Sequence, residues 1–188
     1  MRHLRTLATA PAVALAVTLS LTAYAPAADA LAPPPERTVT DPADPGASYD
    51  VRSMTLRAAT GPNARASVVV RHARAVRTGD AIDLWFDLRG DRRPDVYLSG
   101  VSFSEYAAYR VRGFRKSGRD ITDRGCFALK MRERRSVVRF DPDCLGRSAA
   151  FAVSVRSFRI GEGGAGSDFV PGRRQLSGRV ASTATARG

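Results

Sequence analysis

The sequence has few of the side chains on which nucleophilic and metal catalysis most often rely. Its 188 residues include two histidines, two cysteines and one tryptophan. Because His3 lies at the extreme N-terminus, His72 is the only histidine in the rest of the chain. A Ser-His-Asp site would need His72 and a serine on a strained Gly-x-Ser-x-Gly turn, which does not occur. We therefore predict that His72 is a surface or half-buried strand residue.

Long hydrophobic runs are also scarce, and the one that exists is N-terminal. A basic start at 2–5 precedes an apolar stretch at 12–21, and the small-x-small pattern at 28–30 is typical of signal peptidase sites. A membrane anchor would need roughly 20 apolar residues, more than this run provides. We expect residues 1–30 to be a signal peptide cleaved after Ala30, giving a secreted, extracellular protein without a transmembrane anchor.

The only two cysteines, Cys126 and Cys144, lie in the part expected to be exported. An oxidising compartment favours one disulfide between them, and two free buried thiols are the alternative. They flank a predicted hairpin with a charged turn at Arg132–Arg135. An oxidised pair supplies neither a thiolate nucleophile nor a soft metal ligand. We therefore predict no metal and no cofactor.

Acidic residues are the minority charge, with 18 Asp and Glu against 30 Lys and Arg, and the net charge is +12. Only Lys116 and Lys130 are lysines, an arginine bias typical of GC-rich coding. Basic proteins favour anionic partners. For an exported protein these are cell-wall polymers, anionic lipid head groups or extracellular polysaccharide. The compartment excludes intracellular nucleic acid.

The chain beyond the signal peptide divides into three parts. Residues 31–48 hold five prolines without apolar periodicity, which predicts a Pro-rich flexible leader. Residues 49–180 alternate short strand-like segments with turn residues, and 181–188 are expected to be a disordered tail. The predicted strands are Tyr49–Ala58, Ser67–His72, Asp80–Leu88, Asp95–Phe103, Glu105–Phe114, Cys126–Met131, Ser136–Phe140, Ala150–Ile160 and Arg174–Val180, of which Glu105–Phe114 could be partly helical. This layout predicts an all-β, single antiparallel β-sandwich, jelly-roll-like, in one domain.

The predicted strand Asp80–Leu88 shows the most regular alternation, and the main binding hypothesis rests on it. Along 82–88 apolar residues alternate with Asp83, Trp85 and Asp87, so period two places these three on one face. Exposed aromatic rings stack on sugars, so Trp85 with Tyr97 could form a platform beside hydrogen-bonding carboxylates of Asp83 and Asp87. The alternative is that Trp85 packs beneath a loop or the leader.

Paired carboxylates offer the remaining enzymatic option, glycoside hydrolysis. Asp83 and Asp87 are separated by about 13 Å along a strand, which is too wide for either hydrolase geometry. The run from Asp87 through Asp91 to Asp95 resembles an oxygen-rich calcium loop, but cations at intervening positions oppose a divalent ion. We expect Asp91 and Asp95 to close the turn and to pair with Arg92 or Arg93.

One stretch carries a resemblance to known proteins. The run RTGDAIDLWFDLRGDRRPDVYLSG, followed by FSEYAAYRVRGF, SGRDITDRGC, FDPDCLG and VPGRR, resembles a group of small secreted actinobacterial proteins of unknown function. It covers the chain from about Tyr49 to Val180. The resemblance implies a signal peptide, a β-sandwich and two cysteines flanking a hairpin, but no activity. The layout is also similar to carbohydrate-binding and sugar- or haem-binding sandwich modules, without the ligand signature of either.

Taken together, the sequence favours a secreted, non-catalytic protein that binds or adheres to an extracellular polymer or anionic surface. The alternative is a secreted hydrolase that uses Asp or Glu carboxylates.

Overall fold

The computed structural model describes residues 34–61, 64–146, 150–162 and 166–181. The predicted signal peptide, and the predicted tail except Ala181, lie outside these residues. Within them, no helix is long and apolar enough to cross a membrane. The strands found there are β1 Glu36–Thr40, β2 Val51–Arg57, β3 Ala66–His72, β4 Asp80–Asp87, β5 Val96–Val101, β6 Tyr106–Arg110, β7 Arg119–Asp120, β8 Phe127–Arg132, β9 Arg135–Phe140, β10 Ala152–Arg159 and β11 Asp168–Val170, with a 3-10 turn at Thr122–Arg124.

The strands form two antiparallel sheets that pack face to face. One sheet has five strands in the order β1-β2-β3-β9-β8, and the other has six in the order β11-β10-β4-β5-β6-β7. The prediction of an all-β antiparallel sandwich is confirmed. Its physical basis is the period-two pattern, which gives each sheet one apolar face that must be buried against the other.

The strand order, which the sequence left open, is a Greek key of the immunoglobulin type. Strands β2, β3, β9 and β8 occupy the places of A, B, E and D, while β11, β10, β4, β5 and β6 occupy those of G, F, C, C′ and C″. In antibody domains a disulfide joins the two sheets. Here Cys126 and Cys144 instead join the open ends of the β8–β9 hairpin, with 5.6 Å between their Cα atoms. This topology by itself carries no function.

Aromatic side chains join the two inner faces in the centre of the sandwich. The ring of Phe140 on β9 lies 5.2 Å from that of Phe86 on β4 and 4.9 Å from that of Phe151. Both contacts have near-perpendicular rings, which is a favourable arrangement for aromatic pairs. Burial of each phenylalanine contributes about 1.5 to 3 kcal/mol, so these residues fix how the sheets stack.

The structure corrects the sequence interpretation at both ends of the domain. Part of the predicted flexible leader forms β1, which pairs along its whole length with β2. Its half-buried Val39 packs against the core, and one inward side chain is enough for a strand at a sheet edge. The predicted strand Arg174–Val180 does not form, because only Val180 pairs, with Phe151. The final strand is β11, a few residues earlier.

Candidate functional site

Strand β4, which carries Asp83, Trp85 and Asp87 of the binding hypothesis, is buried on both faces. All eight residues of β4 are buried, although alternate side chains point away from the core. On this outer face Trp85 lies opposite Tyr97 of β5, and Asp83 lies opposite Ser99 of β5 and Arg156 of β10. The side chains that point away from the core are therefore covered by other parts of the chain and are shielded from solvent.

A loop after β6 covers Trp85. The indole ring is 4 % exposed, and its centroid lies 5.3 Å from the ring of Tyr97 and 5.8 Å from that of Phe114. The indole Nε1 donates a hydrogen bond of 2.9 Å to the carbonyl oxygen of Arg115. Trp85 thus does not present an open stacking platform, and the alternative of packing beneath a loop describes its position. Contact between Trp85 and a ligand stays a prediction.

Asp83 is the buried centre of a polar network. Its Oδ1 accepts hydrogen bonds from the Tyr97 hydroxyl at 2.7 Å and from Ser99 Oγ at 2.8 Å. Its Oδ2 lies 3.1 Å from Lys116 Nζ and 3.4 Å from a terminal nitrogen of Arg156. Burial, and then the charge of Asp83, raises the pKa of Tyr97 well above its usual range. Asp83 is thus occupied by this network and holds two cations in place.

Those two cations border a cleft of about 410 Å³ on the outer face of the six-stranded sheet. The floor of the cleft is formed at paired positions of neighbouring strands. Phe169 on β11 lies opposite Arg156 on β10, and Arg156 lies opposite Asp83 on β4. Ser167 Oγ accepts two hydrogen bonds from Arg156, of 3.1 and 2.9 Å. The residues lining the cleft are Trp85, Phe114, Lys116, Arg156, Ser167, Phe169, Arg173 and Arg174. They comprise four cations and three aromatic rings, with no carboxylate among them.

Asp87 and Asp95 organise the β4–β5 turn. Asp87 accepts hydrogen bonds from the backbone N–H groups of Arg89, Gly90 and Arg92, at 2.6 to 3.1 Å. Asp95 accepts the N–H groups of Leu88 and Arg89 and lies 2.5 Å from Arg89 Nε. Asp95 thus closes the turn, as predicted, and Asp87 does so as well.

The ion pairs of this turn differ from the prediction. Asp91 and Asp95 both pair with Arg89, and not with Arg92 or Arg93. Asp91 also accepts the backbone N–H of Arg93 at 3.0 Å. Asp87 is one of the four predicted ligand-binding residues. Its Oδ2 lies 3.9 Å from a terminal nitrogen of Arg179. Its role in the structure is to hold the turn.

His72 is more deeply buried than expected. It is 3 % exposed, its ring stacks 3.8 Å from that of Tyr49, and its Nε2 lies 3.0 Å from Ser136 Oγ. Burial lowers the pKa of His72 to about 3; the nearby charge of Asp80 opposes this shift, and that of Arg74 adds to it. The Nδ1 atom has no hydrogen-bond partner among the described residues. Among the described residues, no acid is therefore hydrogen-bonded to His72 to orient its ring, and the imidazole is buried away from solvent.

The fold brings together three carboxylates that the sequence pattern did not indicate. Asp41, Asp50 and Asp168 each place an oxygen within 4.8 Å of the others. Burial, and then repulsion from Asp168 and Asp50, raises the pKa of Asp41 to about 6. Such a group could hold a proton or a divalent cation. No local signal could have predicted it, because Asp41 and Asp168 come from opposite ends of the domain.

Fold and site together define a Greek-key β-sandwich with a cationic, aromatic-lined cleft on one outer face. No protein-family model, curated protein or solved structure matches the chain.

Proposed function

We propose that this chain is a secreted, non-catalytic binding protein whose cleft holds an anionic unit of an extracellular glycopolymer. The observation that carries the proposal is the composition of the cleft, in which four cations surround aromatic rings. Aromatic faces favour sugar rings, while arginine forks favour carboxylate and phosphate groups. A sugar unit that carries such a group would satisfy both kinds of contact.

Two of the four cations are free to meet a ligand. Arg173 and Arg174 are exposed, and within the described part of the chain neither forms an ion pair with an acid. Arg156 and Lys116 are held by Asp83, which neutralises only one of these two charges. The cleft therefore keeps an excess of positive charge.

Export supports an extracellular polymer as the partner. The signal peptide proposed at residues 1–30 would deliver the chain outside the cell, where anionic wall polymers and polysaccharides are abundant. The Cys126–Cys144 disulfide is compatible with that oxidising setting. Intracellular nucleic acid would not meet an exported chain.

Retention on purified cell wall and on insoluble polysaccharides tests the proposal. We expect retention at about 50 mM salt and release at about 500 mM, because screening weakens exposed charge contacts. The Arg173→Gln/Arg174→Gln variant should bind at least about tenfold more weakly, and Phe169→Ala should also weaken binding.

The matched control is Arg92→Gln/Arg93→Gln, which removes the same charge from a turn outside the cleft. It should lower affinity by less than about twofold. Unchanged retention of both cleft variants would contradict the proposal, as would absence of retention on every polymer. Equal loss in control and cleft variants would show that net charge alone drives adhesion.

One observation favours a second candidate, the hydrolase. Asp41, Asp50 and Asp168 bring carboxylates close together, and the raised pKa of Asp41 is a property of general acids. Release of reducing ends from wall polysaccharide, lost in Asp41→Asn but kept in Asp91→Asn, would support hydrolysis. Absence of any product would remove this candidate.

A further inference from the structure

The other outer face of the sandwich carries a row of arginines. Arg71 on β3 lies opposite Arg135 on β9, which in turn lies opposite Arg132 on β8. All three side chains are exposed, and residues next to them in each strand point the opposite way. Neighbouring strands are about 4.8 Å apart, and like charges directly opposite each other destabilise a sheet. The fold thus places three arginines at directly opposed positions of three neighbouring strands.

The cationic row continues into a groove along the β8–β9 hairpin. Lys130 and Arg139 also point outward there, and they line the groove together with Arg132, Arg135 and the half-buried Val137. A second hollow at the end of the hairpin is lined by Arg71, Glu133, Arg134 and Arg135. The cations of the face are therefore contiguous.

Among the described residues, one acid forms an ion pair with this row of cations. Glu133 lies 3.3 Å from Arg135, but its own side chain is 70 % exposed. Within the part of the chain that the structure describes, Arg71, Arg132, Lys130 and Arg139 form no ion pair. The face therefore carries a large local excess of positive charge that an exposed carboxylate screens only weakly.

We propose that this outer face is a second binding surface, which takes a linear polymer with repeated phosphate groups. Several cations in a contiguous array need several anions, so a chain of linked phosphates fits better than a single ion. Arginine forks bind phosphate through two parallel hydrogen bonds, and the row offers three such forks. Charge complementarity is thus the basis of the proposal.

The same face does not suit a lipid bilayer. Binding at a membrane surface uses apolar side chains that insert among the acyl chains. Among the described residues the exposed large hydrophobic side chains are Phe103 and Ile160, and neither belongs to β3, β8 or β9. The outward apolar residues of these three strands are Val69 and Val137, half-buried between charged rows, and the small Ala128.

The two surfaces lie on opposite sides of the molecule, because each occupies the outer face of a different sheet. One molecule would therefore hold two polymer segments at once and bridge them. This bridging rests on the proposed function of the cleft, whereas binding to the arginine face does not.

Binding of long-chain linear polyphosphate, which has no sugar ring, tests the arginine face. We expect the Arg71→Gln/Arg132→Gln/Arg135→Gln variant to bind at least about tenfold more weakly than the parent chain. The matched variant Arg92→Gln/Arg93→Gln/Arg124→Gln loses the same charge elsewhere and should change affinity by less than about twofold. Glu133→Gln should bind more tightly. Unchanged circular dichroism and melting temperature would establish that each variant is folded.

Three results would overturn the proposal. The first is equal weakening of polyphosphate binding in the triple variant and its control. The second is binding of orthophosphate as tight as that of polyphosphate. The third is arginine-dependent binding to phosphatidylglycerol vesicles that is tighter than polyphosphate binding at equal phosphate concentration. The cleft variant Arg173→Gln/Arg174→Gln should keep its polyphosphate affinity within about twofold, so failure of the arginine face and failure of the cleft are separable.

Bridging is measured with polyphosphate-coated beads and a soluble, labelled wall glycopolymer. The parent chain should capture the labelled polymer on the beads, and either surface variant should abolish capture. Capture by the arginine-face variant would overturn bridging. Capture by the cleft variant would overturn it as well, because the labelled polymer would then be held without the cleft.

Discussion

Trp85 stabilises the outer face of the six-stranded sheet besides lining the cleft. We expect Trp85→Phe to lower the free energy of unfolding by about 1 kcal/mol, since the carbonyl of Arg115 loses its donor. Trp85→Ala should lower it by about 3 to 5 kcal/mol, because a buried aromatic ring is lost. Urea unfolding measures both. A loss below about 1 kcal/mol in the alanine variant would show that the ring is not packed as described.

This dual role affects how binding is tested. Weaker binding of Trp85→Ala would combine the loss of a ligand contact with displacement of the loop at Phe114 and Arg115. Phe169, on the opposite side of the cleft, is only partly buried, so Phe169→Ala separates stacking from folding better.

Because His72 is buried, we expect the free energy of unfolding to depend on pH. Its folded pKa of about 3 lies below its ordinary value of 6.5, so the unfolded chain binds more protons between these pH values. Its contribution to stability is full above pH 6.5 and is lost as the pH falls toward 3, by up to about 1.4 kcal/mol per pH unit.

The difference between the parent chain and His72→Gln isolates this effect. Asp41 acts in the opposite direction, because its raised pKa makes stability fall as the pH rises from about 4 to about 6. Since both chains keep Asp41, its contribution cancels in the difference. Urea unfolding at several pH values should show a parent chain that loses stability relative to the variant on acidification. Parallel curves would contradict a neutral, buried His72.

At the scale of elements, the disulfide closes the β8–β9 hairpin, which carries Arg132 and Arg135 of the arginine row. Cys126 and Cys144 are 18 residues apart, and the chain-entropy model gives about 3 kcal/mol for a loop of this size. Cys126→Ser/Cys144→Ser should lower the unfolding free energy by about that amount in denaturant titration. A change below about 1 kcal/mol would indicate that the open ends of the hairpin are held by other contacts.

Regular alternation of apolar and polar residues made most strands predictable from the sequence. The short strands at the sheet edges could not be predicted in this way. Strands β2 to β6 and β8 to β10 coincide with predicted segments, because each carries several apolar residues at period two. Strand β1 has a single inward apolar residue, Val39, and β7 has two exposed residues. Such strands form because a neighbour offers free backbone groups, which is information from the sheet and not from the segment.

At the scale of the whole molecule, export is the premise on which an extracellular partner for the cleft depends. When the full chain is expressed in a secreting bacterium, we expect protein in the medium to begin at Leu31. N-terminal sequencing and intact mass measure this. Ala30→Arg should leave a longer, cell-associated precursor, because signal peptidase needs a small residue there, whereas Leu31→Ala should be processed normally. Released protein that still begins at Met1 would contradict the signal peptide.

The candidate site was predictable only in part. The sequence placed Asp83, Trp85 and Tyr97 near one another, because they lie on adjacent strands of a meander. It did not predict that the loop bearing Phe114 and Lys116 would cover them. Loop conformation depends on contacts with distant residues, so period two along β4 could not distinguish an exposed face from a covered one.

The amino-acid sequence by itself determined the regularly alternating strands, the turns between them and the one cysteine pair available for a disulfide, because alternation, turn chemistry and cysteine count are local or compositional properties. Only the tertiary structure decided which charges act together. Arg71 joins Arg135 across the sheet, and Arg156 meets Phe169 and Asp83, because strand order brings distant segments into register. The net charge of +12 was evident from composition. The grouping of these charges into a cleft on one outer face and an arginine row on the other follows from the Greek-key pairing, which no local pattern encodes.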